Sequence, residues 1–343
     1  MIDITIIILA GRDINNLKNC LAHIDASKSL PREIIIVIDL NYVSYDASKN
    51  ITGIKKNLKI IEYSGNGKQP EMRNLAIDAS KSNFLWFIDD DVEIFSNALN
   101  NIDKLIGDIK KNEDIACVAC RIDEALQPEI FRKIKKLKIP VTFSLFRGPI
   151  GFYNWSVDQP IYKNIKYYIG KSGNKYPIVP FAQGTSMIFR KKDLIEIGGF
   201  NVHLGTNYSS FEDSEPSLAL YSINKKTVYC DYVGLRHLKL PRIDGSEREF
   251  DQEFFTAFIK NYYMSVVINR YPNRIFSYFL VIFFCLGVIL KSIKDLSLNF
   301  TVIPLFFSRI KISFISVVNG LIQGHKGIIM IKKCKRKYLE KNA

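Results

Sequence analysis

Short apolar runs alternating with helical segments constrain the fold of this chain more than any other feature. The runs Ile4–Leu9, Glu33–Ile38 and Phe84–Ile88 are bounded by polar or turn residues, as is typical of parallel strands buried on both faces. Apolar residues recur at helical spacing in Asn15–Ile24, and a further helix is predicted at Glu71–Lys81. The resulting order, β-α-β-β-α-β, predicts an open α/β sheet with crossover helices.

Acidic residues stand where two of these strands end. Asp39 follows one apolar run, and Asp89–Asp91 follow another, at the edge where open α/β sheets bind ligands. Adjacent carboxylates repel one another unless a cation compensates, and Mg²⁺ and Mn²⁺ prefer such oxygen ligands. The triplet is therefore either a metal site that bridges a nucleotide diphosphate or a solvated acidic turn. The buried run before it favours the metal site.

A second group of motifs lies in the following hundred residues. Phe211-Glu-Asp213 is either an ordinary acidic helix start or, beside a sugar hydroxyl, a general base. It follows the glycine-bearing segments Gly184–Arg190 and Gly198–Asn201. The strands and helices predicted around these motifs are Thr185–Phe189, Lys191–Ile197, Asp213–Tyr221 and Thr227–Tyr229.

Taken together, the order and spacing of these motifs resemble family 2 glycosyltransferases, which have the GT-A fold. The resemblance implies a Rossmann-like, mostly parallel open sheet with flanking helices. The segments that carry it are Ile4–Leu9, Ile36–Asp39, Asn66–Asn74, Phe87–Asp91 and Gly198–Asp213.

The resemblance implies a role for each matching residue. A nucleotide diphosphate sugar would be held by Asp39, Arg73, Asn74, Asp89 and Asp90, and Mn²⁺ or Mg²⁺ by Asp89 and Asp91. His237 follows a predicted strand and is either a further metal ligand or an ordinary loop histidine. Two departures stand out: Leu40-Asn41 replaces the family's usual continuation, and the motif of processive members, Gln/Arg-x-x-Arg-Trp, is absent.

The Glu-Asp motif of the family matches Glu212 and Asp213. The resemblance implies that Asp213 deprotonates the acceptor hydroxyl, which attacks the anomeric carbon with inversion. Two other functions remain open. A sugar-phosphate nucleotidyltransferase also uses strand-end carboxylates, although Ala10–Asp13 only partly imitates its glycine-rich loop. The second open function is that of a non-catalytic, membrane-associated protein that binds nucleotide sugars.

The C-terminal quarter has a different character. Ile275–Leu290 is apolar but shorter than a comfortable membrane span, and basic residues flank it on both sides. Interfacial or re-entrant helices at an anionic membrane surface fit this pattern, and a helical pair packed on the catalytic domain is the alternative. Lys260–Tyr263 and Gly320–Gly324 resemble the tail of rhamnosyltransferase-like members, which extend lipid-linked saccharides.

The net charge of the chain indicates the kind of partner that it binds, and its length allows more than one domain. The chain has 343 residues, with 48 Lys and Arg against 34 Asp and Glu, for a net charge of +14. This excess favours an anionic partner, and a membrane-borne glycan or glycolipid acceptor fits better than nucleic acid, for which no motif is present. We expect a catalytic domain at 1–245 (nucleotide-sugar half 1–120, acceptor half 121–245), apolar helices with a basic tail at 246–343, and a location at the cytoplasmic face of the membrane. The oligomeric state is left open.

Overall fold

The computed structural model describes residues 1–10, 14–41, 51, 57–65, 69–124, 166–204, 211–238, 252–269 and 314–329, with isolated positions between 274 and 311. Several predicted segments lie outside these ranges. They are Asn66-Gly67, most of 121–180, most of Ile275–Leu290, the apolar stretch at 300–307 and the basic tail after residue 330.

The N-terminal half is a parallel sheet, as the apolar runs predict. Its strands lie in the order β3-β2-β1-β4, and all of their pairings are parallel. The elements are β1 (Ile2–Ala10), α1 (Ile14–Asp25), β2 (Pro31–Asp39), β3 (Leu58–Tyr63), α2 (Gln69–Ala79) and β4 (Phe84–Asp89).

The second half continues the same sheet with both strand directions. The order beyond β4 is β9-β6-β10-β8-β7, and β5 pairs with β10 off this path. β9 runs antiparallel to β4 and to β6, whereas β6 and β10 form a long parallel ladder. The elements are β5 (Val92–Ile94), α3 (Ala98–Ile109), β6 (Ile115–Glu124), β7 (Tyr167–Ile169), β8 (Lys175–Val179), β9 (Ser186–Arg190), α4 (Lys191–Glu196), α5 (Glu215–Ser222) and β10 (Lys226–His237).

Alternate residues of the central strands enter two cores, one on each face of the sheet. Ile6 and Ile8 of β1 pack with apolar residues of α1 and α3. Ile7 points to the other face and packs with residues of α2, α4 and α5. Both faces are therefore covered by helices, which explains why the strand sequences are apolar throughout. The result is a mixed α/β, GT-A-like fold.

Three bounds differ from the sequence prediction in ways that affect the site. The strand predicted at Thr227–Tyr229 continues to His237, because the second part of β10 pairs with both β6 and β5. The helix predicted from Asp213 begins at Glu215, so Glu212 and Asp213 lie in the turn before it. The helix predicted from Glu71 begins at Gln69, which places Arg73 well inside it.

The C-terminal helices pack on the end of the sheet domain through a third core. α6 (Gln252–Ile268) and α7 (residues 314–329) share this core with Leu204, Phe211 and Leu218. Asn261 of α6 donates its side-chain amide to the carbonyl of Leu204 at 3.0 Å. None of the helices in the described ranges combines the length and apolarity that crossing a membrane requires.

Candidate active site

The carboxyl ends of β2 and β4 bring Asp39 and Asp89 to one edge of the sheet. β1 lies between the two strands and is parallel to both; its Leu9 is level with Val37 on one side and with Asp89 on the other. Strands are spaced about 5 Å apart, so the ends of β2 and β4 lie about two strand spacings apart, on either side of β1. Asp39 is buried and accepts hydrogen bonds from the backbone and side-chain amides of Asn41, at 3.0 and 2.7 Å.

Asp89, Asp91 and His237 form a cluster with the geometry of a metal site. One ligand atom from each lies within 4.8 Å of the others. Nε2 of His237 is 3.4 Å from Asp91 Oδ1 and 3.9 Å from Asp89 Oδ2. The side chain of Asp91 is fully buried and that of Asp89 is one-third exposed. Two carboxylate oxygens and an imidazole nitrogen suit Mn²⁺ or Mg²⁺, and the cluster fits such an ion.

The extension of β10 explains how His237 reaches residues far away in the sequence. β10 runs antiparallel to β5, and His237 pairs with Val92, the residue after Asp91. The backbone amide of Leu238 then donates to the carbonyl of Asp91 at 3.0 Å. The histidine is thus held by sheet pairing against the Asp-x-Asp turn, which favours the metal-ligand interpretation over that of a loop histidine.

The negative charge of this cluster reaches into the core. Burial raises the pKa of the Cys20 thiol on α1, and the charges of Asp90, Asp91 and Asp89 raise it further, in that order. Asp90 is itself buried. Three neighbouring carboxylates in a partly buried place are costly without a cation, which supports the fit of the cluster to a divalent metal ion.

Arg73 and Glu212 form a buried ion pair across the site. Arg73 Nη1 lies 3.4 Å from Glu212 Oε1, and both side chains are about 95% buried. Nη2 of Arg73 also donates to Gln69 Oε1 at 3.0 Å, and the guanidinium lies over the ring of Phe200, 5.2 Å from its centroid. This network ties α2 to the turn before α5, and the sequence separation of 139 residues hides it from local analysis.

Burial raises the pKa of Glu212 to about 7, and the adjacent charge of Asp213 acts in the same direction. Arg73 opposes both effects. A glutamate near a pKa of 7 exchanges its proton around neutral pH, so its charge state depends on what binds nearby.

Asp213 is the less buried of the two acidic residues and lies beside Gly184. The backbone amide of Gly184 donates to Asp213 Oδ2 at 2.6 Å. A Cβ at residue 184 would lie 2.8 Å from the same oxygen and 3.2 Å from Arg73 Nη2. β9 begins two residues later, where Ser186 pairs with Ile88 next to Asp89. The topology therefore places Asp213 at the same sheet edge as the acidic triplet.

The turn that carries the Glu-Asp motif is anchored to the C-terminal helix α6. Phe211 adopts a left-handed backbone conformation, with φ of 62°, which is unfavourable for an aromatic residue. Its ring packs against Phe258 and Tyr262 of α6, with centroids 4.6 and 5.4 Å away. This aromatic contact compensates the backbone strain and fixes the approach to Glu212.

Asn74 lies beside Arg73, and its side chain holds the backbone of Phe200. Its amide nitrogen donates to the Phe200 carbonyl at 2.9 Å, and its amide oxygen accepts from the Phe200 amide at 2.8 Å. Gly199 precedes with φ of 73°, and a Cβ there would lie 2.5 Å from Asn74 Oδ1. This geometry gives Asn74 a positioning role, and its contact with a nucleotide sugar stays a prediction.

The structure thus gathers six of the residues selected from the sequence into two clusters, one with Asp89, Asp91 and His237 and one with Arg73, Glu212 and Asp213. Asp39, Asn74 and Asp90 are outside both clusters. The sequence does not predict the contacts that Gln69 and Phe200 make with Arg73 or that Gly184 makes with Asp213. Gly184 and Phe200 lie in glycine-bearing segments that the sequence marks, but their contacts are long-range. Only the folded chain shows them.

Several solved structures share this fold. A mannosyltransferase, PcManGT from Pyrobaculum calidifontis in complex with GDP-Man and Mn²⁺, is 10% identical with a TM-score of 0.52, over 94% of this chain and 86% of that one. S. aureus TarS 1-349 in complex with UDP-GlcNAc is 13% identical with a TM-score of 0.57, over 98% and 92%. GalNAc-T7 with UDP, GalNAc and Mn²⁺ is 12% identical with a TM-score of 0.51, over 75% and 47%.

At these identities the structural likeness shows the fold alone. No curated protein sequence matches this chain. The family described as Glycosyl transferase family 2 matches residues 5–198, a span that contains Asp39, Arg73 and the acidic triplet and ends before Glu212. Because this match covers more than half of the chain, the protein belongs to glycosyltransferase family 2 and is a glycosyltransferase.

Proposed function

We propose that this enzyme transfers a sugar, with inversion, from a nucleotide diphosphate sugar to a hydroxyl of a lipid-linked or membrane-proximal glycan. The observation that carries the proposal is the pair of clusters at one sheet edge. A metal-ligand set of Asp89, Asp91 and His237 lies on one side, and Asp213 with its ion-paired neighbour Glu212 lies on the other. A diphosphate and an acceptor hydroxyl need these two kinds of site.

On the donor side, Asp39 receives the nucleoside, and Asp89 and Asp91 face the diphosphate. Asp89, Asp91 and His237 would hold a divalent ion, which when bound would supply positive charge against that of the departing nucleoside diphosphate. The solved relatives in complex with GDP-Man and Mn²⁺, and with UDP, GalNAc and Mn²⁺, support this assignment. They do not identify the sugar that this enzyme uses.

On the acceptor side, Asp213 accepts the proton of the attacking hydroxyl. The new bond joins that oxygen to the anomeric carbon as the bond from carbon to the diphosphate oxygen breaks. The 2.6 Å hydrogen bond from Gly184 orients the carboxylate, and the ion pair of Arg73 with Glu212 fixes the turn. Positioned general bases contribute about 10²- to 10⁴-fold to such rates.

A membrane-borne acceptor at the cytoplasmic face is supported by the net charge of +14 and by helices that bring apolar side chains to the surface. The resemblance of Lys260–Tyr263 and Gly320–Gly324 to rhamnosyltransferase-like members supports the same acceptor class. Anionic headgroups attract basic segments, and a catalytic domain held at the surface meets a lipid-linked acceptor there.

The test is a transfer assay on the purified chain with a panel of nucleotide sugars, with Mn²⁺ or with a chelator, and with lipid-linked acceptors. We expect transfer that requires the metal ion, releases a nucleoside diphosphate and is lost in Asp91→Asn. Full turnover by Asp91→Asn would contradict the assignment of the metal site. Release of pyrophosphate would instead identify a nucleotidyltransferase.

A further inference from the structure

The outer face of α7 carries apolar side chains where solvent-facing helices usually carry polar ones. Phe314, Val318, Ile322 and Ile329 are 61%, 40%, 50% and 45% exposed. Their spacing places them on one side of the helix. The opposite side, which includes Val317 and Ile328, is buried in the third core. The helix is therefore apolar on both sides.

The helical residues between 274 and 285 show the same arrangement. Val281 and Cys285 are buried in the third core beside residues of α7. Tyr278 and Ile282, one turn apart, are 48% and 56% exposed. We call six of the exposed residues on these two segments the C-terminal apolar face: Tyr278, Ile282, Phe314, Val318, Ile322 and Ile329. Large apolar side chains grouped in this way mark an interaction surface rather than ordinary surface scatter.

Basic residues accompany this face. Arg274 and Lys326 are exposed on the same helical segments, and Lys311 is exposed three residues before α7. In the sequence, a basic run at 332–337 that holds five Lys or Arg follows α7. Exposed apolar side chains together with an excess of positive charge match a bilayer surface with anionic headgroups, which takes up both components. A second copy of the chain would bring like charges together.

We infer that the C-terminal apolar face inserts into the interface of an anionic bilayer and holds the active site near the membrane. The buried sides of these two segments share the third core with Phe211, whose ring packs against α6. A bilayer bound at this face would hold these helices, and through the third core the turn before α5, near its surface, where a membrane-borne acceptor lies. The inference rests on the proposed function only for the identity of the acceptor. Vesicle binding tests the face without any sugar transfer.

The test is co-sedimentation of the full chain with vesicles made of equal parts phosphatidylglycerol and phosphatidylcholine, in the absence of nucleotide sugar. We expect the wild-type chain to bind these vesicles and Ile322→Glu to bind about tenfold more weakly, because a charge replaces an inserted apolar side chain. Neutral phosphatidylcholine vesicles and higher salt should both weaken wild-type binding.

The matched control is Ile195→Glu on α4, because Ile195 is 54% exposed on another face of the protein. It should bind vesicles as the wild type does, and so should the catalytic variant Asp213→Asn, which separates this inference from the proposed activity. Thermal melts of each variant check folding. Equal binding of Ile322→Glu and the wild type would overturn the inference. So would a wild type that stays in solution, or an Ile322→Glu variant whose effect is to turn a dimer into a monomer.

Discussion

The two clusters of the active site differ in how their negative charge is compensated. The cluster of Arg73, Glu212 and Asp213 is called the base side. Its guanidinium, on Arg73, lies 3.4 Å from Glu212, so a permanent positive charge is built into the fold. The cluster of Asp89, Asp91 and His237 is called the metal side. Here the imidazole of His237 lies against Asp91. An imidazole can offer a neutral lone pair to a metal ion, so it adds a ligand rather than a fixed charge.

This difference fits the place that we propose for each reactant. A cluster that completes its own ion pair is prepared for a neutral hydroxyl, which arrives without a counter-charge. A cluster of acidic oxygens with an imidazole is prepared for a cation, and through the cation for an anionic diphosphate. The contrast can be tested by changing one side at a time.

The largest expected effect is on the base side. Asp213→Asn keeps an oxygen that can accept the Gly184 hydrogen bond but cannot take a proton at neutral pH. We expect kcat to fall about 10³-fold with little change in the Kd of the nucleotide sugar. Steady-state kinetics and calorimetric titration measure the two quantities. Asp103→Asn, an exposed position on α3, is the control. A kcat close to that of the wild type would refute the role of Asp213 as base.

The second prediction concerns pH and the buried pair. The pKa of Glu212 is raised from 4.5 to about 7 in the folded protein, so folding favours its protonated form. The corresponding stability is present below pH 4.5 and is lost as pH rises through 7. Without metal or nucleotide, we expect the free energy of unfolding to fall by about 3 kcal/mol across this range from this group.

Urea denaturation of the wild type and Glu212→Gln at a series of pH values measures this effect. The glutamine variant does not titrate, so its stability should depend less on pH than that of the wild type. Glu196→Gln, at an exposed position of α4, should keep the wild-type profile. Identical profiles for the wild type and Glu212→Gln would show that folding does not raise the pKa of Glu212, so that Arg73 fully offsets the effects of burial and of Asp213.

Much of the metal side could be predicted from the sequence, and less of the base side. The apolar runs fix the strands, and strand ends of parallel pairs meet at one edge, so Asp39 and Asp89 follow from local patterns. The pairing of Arg73 with Glu212 joins residues 139 positions apart. Its geometry depends on how α2 and the turn before α5 pack, which periodicity does not encode. The domain boundary predicted after residue 245 and the inversion of configuration at the anomeric carbon remain predictions.

The third prediction is that His237 contributes to the affinity for Mn²⁺. His237→Ala removes the imidazole but leaves both aspartates. We expect the affinity for Mn²⁺ to fall at least about tenfold, since even the loss of a residue that only orients a metal ligand costs about 10- to 100-fold. Titration of Mn²⁺ followed by electron paramagnetic resonance measures the change. His23→Ala on α1 should bind Mn²⁺ as the wild type does, and unchanged affinity of His237→Ala would exclude the imidazole from the site.

The smallest expected effect tests how closely the base is held. Gly184→Ala introduces a Cβ 2.8 Å from Asp213 Oδ2 and 3.2 Å from Arg73 Nη2, so the carboxylate must move by a few tenths of an ångström. We expect kcat to fall by up to about tenfold, because small displacements of a reacting group reduce the rate, while Mn²⁺ affinity stays unchanged. Gly107→Ala on α3 is the control, since a Cβ there meets no atom within 4 Å. A loss of Mn²⁺ affinity in Gly184→Ala would mean that the two clusters move as one unit, and the contrast between them would have to be given up.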